Sequence, residues 1–158
     1  TEKKINKIVN STGSNKLISI VRLTKNVCEN TSPFNSWIIK INNNEKFFAL
    51  EDLYFAPITF LDSSKIILEI IKKNLFGVFH LSGQNDINYS DFAIGLLKYL
   101  NLNTDLCQKK RSYEIGIKLK YNHHITALDM SFTKKLTRIE PVKLDAVFSY
   151  LSKHIRLL

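Results

Sequence analysis

Apolar residues along this chain fall into two spacings: short unbroken runs, and longer stretches that repeat every three to four positions. Leu17-Ile18-Ser19-Ile20-Val21 is mostly β-branched and predicts a strand buried on both faces, the kind that belongs to parallel sheets. Gly77-Val78-Phe79-His80-Leu81 predicts a second one. Residues 34–41 predict a short helix with Trp37, Ile38 and Ile41 inward, ended by Asn42-Asn43-Asn44. Brief strands are predicted at 47–50 and 58–60, around a turn-rich 51–57. Asp62-Ser63-Ser64 supplies an N-cap for a helix whose Ile66, Ile67, Ile70 and Ile71 share a face, closed by Lys72, Lys73 and Asn74. Tyr89-Ser90-Asp91 starts another, with Phe92, Ala93, Leu96, Leu97 and Leu100 at core spacing. One strand is expected within 106–113. Pro141 opens the last helix, with Leu144, Val147, Phe148 and Leu151 in step. Upstream, Ile5, Ile8 and Val9 among Lys3, Lys4 and Lys7 predict the end of an amphipathic helix to about Asn10, broken by residues 11–15. No methionine or capping signal precedes Lys3, so a fragment that begins inside a helix is expected. Helices alternating with strands predict an α/β fold.

The 158 residues suit one domain or half of a larger enzyme, and 44% hydrophobic content can fill a core, which excludes disordered and fibrous classes. No window approaches the ~18 apolar residues of a membrane span, so no membrane partner and a cytoplasmic setting are expected. Cys28 and Cys107 stand apart without a Cys-x-x-Cys pair and are read as reduced thiols. A formal charge of +9 favours anionic partners, but 19 of the 23 cations are lysines, scattered rather than arranged as a phosphate-reading surface. The densest cluster is Lys109-Lys110-Arg111, and no nucleic-acid partner is expected.

Chemical motifs are sparse. The five glycines, at 13, 77, 83, 95 and 116, form neither Gly-x-Gly-x-x-Gly nor a P-loop. Adjacent His123 and His124 lack the i,i+3 or i,i+4 spacing for a shared metal on a helix, and no metal is expected. His80, inside an apolar strand, is read as a satisfied core histidine rather than a general base. No serine sits on a Gly-x-Ser-x-Gly elbow, and none of the six tyrosines has a lysine four positions later.

Four segments in order carry a resemblance. They are Ile-Val-Arg-Leu-Thr-Lys at 20–25, Asp-Leu-Tyr-Phe-Ala-Pro-Ile-Thr-Phe-Leu-Asp at 52–62, Gly-Val-Phe-His-Leu-Ser-Gly at 77–83 followed by Tyr-Ser-Asp-Phe-Ala at 89–93, and Thr-Ala-Leu-Asp-Met-Ser at 126–131. Together they resemble the C-terminal half of extended short-chain dehydrogenase/reductases, in the dTDP-4-dehydrorhamnose reductase-like branch, over about residues 17–155. The resemblance implies the C-terminal part of a Rossmann-type parallel sheet plus the smaller substrate-binding subdomain. Residues 1–25 would end the dinucleotide-binding fold, and 26–158 would be mainly substrate-binding subdomain with returning sheet elements. It further implies an NAD- or NADP-dependent reductase or epimerase acting on a nucleotide sugar. The cofactor loop and the catalytic Tyr-x-x-x-Lys would lie in a missing N-terminal half or a partner chain, and a homodimer is possible. In that dyad the tyrosine is a positioned general acid-base group. Lys3 or Lys4 is either the dyad lysine or an ordinary solvated helix residue.

The same resemblance implies a substrate pocket formed by Thr24, Lys25, Asn35, Trp37, Asp52, Tyr54 and His123. Thr24 and Lys25 would follow a sheet strand at its carboxyl end, where ligands of open α/β sheets collect. Asn35 and Trp37 would offer an amide and an aromatic face to a base, and Asp52, Tyr54 and Pro57 would shape the pocket edge. A capping role for Thr24, a core role for Trp37 and a turn role for Pro57 are the structural alternatives. Where the branch has Arg-Pro, this chain has His123-His124, and a neutral histidine cannot replace the permanent charge or fork of arginine. The other function considered is a non-catalytic binding module that keeps the fold without loop or dyad.

Overall fold

The computed structural model describes residues 3–4, 18–120 and 123–155. In chain order the elements are β1 (Ser19–Leu23), β2 (Asn26–Val27), α1 (Phe34–Asn42), β3 (Phe47–Leu50), β4 (Tyr54–Phe55), β5 (Ile58–Thr59), α2 (Phe60–Lys72), β6 (Gly77–Leu81), β7 (Ile87–Asn88), α3 (Tyr89–Tyr99), β8 (Cys107–Lys110), α4 (Ser131–Thr137) and α5 (Leu144–Ser152), with 3₁₀ turns at Thr104–Leu106 and Ser112–Ile115. Three strand pairs are parallel, β1 with β6, β2 with β5 and β3 with β8; β4 and β7 pair antiparallel. Parallel partners need long crossovers, and each crossover here contains at least one helix. The fold class is α/β, as the alternation of elements predicts, with parallel strand pairs of the Rossmann type that the resemblance implies.

The core gathers where α1, β3, α3 and α5 meet. Phe34, Trp37, Ile38 and Ile41 form the inward face of α1. Phe92, Ala93, Leu96 and Leu97 do the same for α3. Aromatic rings interlock there: Phe55 stacks on Tyr89 at 4.2 Å, and Phe92 meets Phe34 at 5.7 Å and Phe148 at 5.1 Å. The edge-to-face and offset geometries suit the ring quadrupoles and add to simple area burial.

Several expectations are corrected. The strand predicted at 17–21 is β1, shifted to Ser19–Leu23, and it is mostly exposed rather than buried on both faces. Among the described residues it pairs only with β6, and it is the β6 residues Phe79 and Leu81 that reach the core, leaving Val21 and Leu23 at the margin. The cap of α2 is Thr59, not Asp62: the Asp62 backbone N–H donates to Thr59 Oγ1 at 2.9 Å, and Asp62 sits in the first turn. Burial on α2 follows Ser63, Ile66 and Ile70, so Ile71 faces outward. Helix α2 begins at Phe60, which shortens the strand expected at 58–60. Helix α5 begins at Leu144; Pro141 precedes it in a short extended stretch where Val142 bridges Gly83. β2, β4, β7 and α4 fall outside the predicted elements. His80 is half-buried rather than core, although its ring is satisfied, Nδ1 lying 2.9 Å from the Asp129 carbonyl and Nε2 3.3 Å from Arg22. The helix and break expected over residues 3–15 lie outside the described residues, except Lys3 and Lys4, which are helical and exposed.

Candidate functional site

The register of β3 and β8 determines what stands at their carboxyl ends. Leu50 lies opposite Lys110, and the Glu51 backbone N–H continues the ladder to the Lys110 carbonyl at 2.9 Å. Because the strands are parallel, both chains leave the sheet at the same end, and Glu51-Asp52 emerge beside Arg111-Ser112. Arg111 Nε donates to Glu51 Oε1 at 2.6 Å. The Asp52 carboxylate takes the Ser112 backbone N–H on both oxygens at 3.0 Å and the Ser112 hydroxyl on Oδ2 at 2.7 Å. Two hollows flank this junction.

The first, about 640 Å³, is apolar. Its floor is Trp37, Phe47, Ala49, Leu53 and Tyr89, and Ile115 and Ile117 close one side. Trp37 is fixed by an Nε1–H donated to the Phe48 carbonyl at 3.2 Å and by edge-to-face contact with Phe34. Burial pushes the Tyr89 hydroxyl up to about 12, so this wall stays neutral. Positive charge stands only at the rim, on Lys40 and Lys46, with Lys40 ion-paired to Glu45. Such a hollow can take a flat, largely apolar group whose polar end points outward.

The second, about 510 Å³, is polar, lined by Glu51, Asp52, Tyr54, Asp91, Arg111, Tyr113 and their neighbours. Four of its five charged residues pair among themselves, and Asp52 accepts from Ser112 instead. Besides Arg111 with Glu51, Lys109 Nζ donates to Asp91 Oδ1 at 2.9 Å, which with Asn88 holds the Asp91 carboxyl below the usual carboxylate range against the effect of burial. Tyr54 meets the ring of His124 edge to face at 4.5 Å. Asn88 caps α3 through the Asp91 backbone N–H at 2.7 Å. Asp86 anchors the returning chain, accepting from Thr126 N and Oγ1 and from Ala127 N at 2.6 to 2.8 Å.

The residues singled out in the sequence are thus distributed. Trp37 lines the apolar hollow while also belonging to the core. Asp52 and Tyr54 line the polar one. Lys25 is exposed and reaches the apolar rim through the Ser32 carbonyl, 3.4 Å from its Nζ. Thr24, half-buried after β1, extends the β1–β6 ladder by donating its N–H to the Leu81 carbonyl, and it lines neither hollow. Asn35 is exposed beside the rim residue Ser36, and His123 is exposed beside His124, which does line the polar hollow. The contributions of Phe47, Phe48, Ile115 and Ile117 were not foreseen. The alternation within β3 marks Phe48 as outward, but nothing local brings Ile115 and Ile117 across from a turn some seventy residues later.

The four described glycines are dispersed over separate elements, and no described Tyr and Lys have the dyad spacing. The described residues thus supply neither a glycine loop nor the dyad, and no hydride step follows from them. No group of three or more His, Cys, Asp or Glu suited to a metal ion occurs among the described residues. None of their helices is long and apolar enough to cross a membrane.

No family model matches the chain, and no curated protein matches it. Solved structures do. The chain is similar to a UDP-N-acetylglucosamine 4-epimerase from Bacillus cereus, with TM-score 0.73 and 14% identity, covering 98% of this chain and 51% of that one. It is similar to a dTDP-glucose 4,6-dehydratase from Bacillus anthracis in complex with NAD, with TM-score 0.70, 12% identity and coverage of 96% and 49%. It is also similar to a dTDP-4-dehydrorhamnose reductase from Bacillus anthracis in complex with NADP, with TM-score 0.68, 17% identity and coverage of 94% and 52%. At these identities the likeness is one of fold, and the chain spans about half the length of the structures it matches.

Proposed function

We propose that this chain is the sugar-nucleotide-binding portion of an NAD(P)-dependent reductase or epimerase resembling dTDP-4-dehydrorhamnose reductase, with cofactor loop and hydride chemistry supplied by a preceding half or a partner chain. The observation that carries this is the near-complete superposition of the chain on half of enzymes that act on nucleotide sugars. In this reading residues up to Lys25 end the dinucleotide-binding fold and the rest forms the substrate subdomain. The apolar hollow receives the nucleoside, with the Trp37 ring as a hydrophobic wall and Asn35 as an amide at its edge. Lys25, with Lys40 and Lys46, places positive charge where a diphosphate would emerge. Thr24, Asp52, Tyr54 and His123 complete the surroundings, with His123-His124 offering weaker anion contact than the Arg-Pro of the related branch.

Calorimetric titration with UDP and dTDP tests this reading. Saturable binding of at least one is expected, together with no oxidation of NADH or NADPH by the isolated chain. Absence of binding to both would defeat the reading, and turnover by the isolated chain would overturn the placement of the hydride chemistry. Nucleotide binding by a full-length protein that reduces nothing would point to the non-catalytic module instead.

A further inference from the structure

The wall made by Ile115 and Ile117 is held differently from the rest of the apolar hollow. Trp37, Phe47, Ala49 and Tyr89 are core residues of regular elements. Ile115 and Ile117 belong to a turn whose Tyr113, Glu114 and Gly116 are exposed, and neither isoleucine joins the buried core. The turn is rigid within itself. Ile117 N–H donates to the Ser112 carbonyl at 2.9 Å and Gly116 N–H to the Tyr113 carbonyl at 3.2 Å, with Gly116 at φ 71°, the left-handed closure that places the two isoleucines on either side of it. Its attachment to the body is polar: three hydrogen bonds from Ser112 to Asp52, reinforced by Arg111 on Glu51. Ser112 is buried, so its contacts with Asp52 are shielded, whereas the Arg111–Glu51 pair is solvent-exposed and correspondingly weak. Asp52 lines the polar hollow and not the apolar one.

We propose that Asp52 is a positioning residue for the apolar hollow: it controls ligand binding there without touching the ligand, by latching the 111–117 turn so that Ile115 and Ile117 stand as its outer wall. This deepens the reading of that hollow as a ligand site. A latched wall is preorganised, and a ligand then need not order the turn on entry. Release of the latch opens the side of the hollow facing Trp37.

Trp37 is the only tryptophan in the chain and reports on the hollow directly. Collisional quenching of its fluorescence by acrylamide, without any nucleotide, is expected to rise about twofold in Asp52→Ala, by local opening rather than unfolding. Ser112→Ala, which removes one of the three contacts, is expected to show a smaller rise and covers the case in which Asp52→Ala fails to fold. In an Ile115→Ala/Ile117→Ala background, where the wall is already gone, Asp52→Ala is expected to add nothing. Unchanged quenching in folded Asp52→Ala and Ser112→Ala proteins, or an equal further rise in the wall-less background, overturns the latch. Where the wild type binds UDP or dTDP, Asp52→Ala is expected to weaken that binding about tenfold, and undiminished affinity overturns the latch equally. A wild type that binds neither nucleotide defeats the proposed function and leaves the quenching result to decide the latch by itself.

Discussion

The two hollows share one wall segment and differ in almost everything else. Residues 50 and 53 face the apolar hollow, and residues 51, 52 and 54 face the polar one. On the apolar side the lining is an extension of the core, so its shape is set by packing that the whole fold depends on. On the polar side the charged lining residues are already bonded, Lys109 to Asp91, Arg111 to Glu51, and Asp52 to the neighbouring Ser112. A ligand entering the apolar hollow displaces only water from hydrocarbon, whereas one entering the polar hollow must compete with ion pairs and hydrogen bonds already made. On the proposed reading, the richer set of polar groups is the poorer ligand site and fastens the segments that frame the other.

The contrast predicts unequal costs of substitution. Phe92 is fully buried among Phe34, Phe55 and Phe148 in the core that carries the apolar lining residues Trp37 and Tyr89, and Phe92→Ala is expected to destabilise by ~3–5 kcal/mol in urea unfolding. A cost below about 1 kcal/mol would mean that this aromatic cluster is not part of the cooperative core. Among the polar anchors outside the apolar hollow the largest effect belongs to Asp86. Burial alone would raise its pKa, but hydrogen bonds from Thr126 and Ala127 outweigh that and hold it below the usual aspartate value. A depressed folded-state pKa contributes stability above the unfolded value of ~3.9 that is lost as pH falls through the folded one. Asp86→Asn is therefore expected to cost ~1–2 kcal/mol at neutral pH, a deficit that shrinks below about pH 4. Thermal melts of both proteins from pH 7 to 3 check this, and a deficit independent of pH would show that the charge is not what fastens residues 126–127.

Asn88→Ala removes the α3 cap, and with it the acceptor of the Asp91 N–H and the Ser90 hydroxyl. The expected loss is ~1 kcal/mol, measured by denaturant unfolding, with Asn88→Ser restoring most of it. The start at Tyr89-Ser90-Asp91 and the spacing that follows made α3 plain from the chain alone, although the cap itself, Asn88, stands one residue before that start. The same logic hid α4. Its buried positions are Thr133 and Thr137, while its aromatic Phe132 is half-exposed, so hydrophobic periodicity runs opposite to burial. What buries Thr133 is its pairing with the β6 backbone, where Oγ1 donates to the His80 carbonyl at 2.8 Å and accepts the His80 N–H at 3.1 Å. Strand composition at residues 17–21 correctly predicts a parallel strand but not its exposure, because exposure depends on how many neighbours the strand has. The family resemblance, rather than residue identity or spacing, put Trp37, Asp52 and Tyr54 forward as lining one pocket, and they line two different hollows. The resemblance could not say that Asp52 would turn toward Ser112, since that contact is set by the β3–β8 register across 60 positions.

The smallest effect sharpens the comparison most. The Lys109–Asp91 pair is about half exposed on both sides, so water and salt screen it, and two side chains must be held still to make it. Lys109→Ala is accordingly expected to change stability by no more than ~0.5 kcal/mol, and the difference should fade further as ionic strength rises. The Asp91 carboxyl, freed from the contact that chiefly depresses its pKa, should titrate closer to the ordinary aspartate range, which NMR of the side-chain carbon can follow. A loss above about 1.5 kcal/mol would mean that the pair is shielded from solvent more than its exposure allows. The polar hollow would then be a desolvated site in its own right, and the division between a binding hollow and a fastening one would fall.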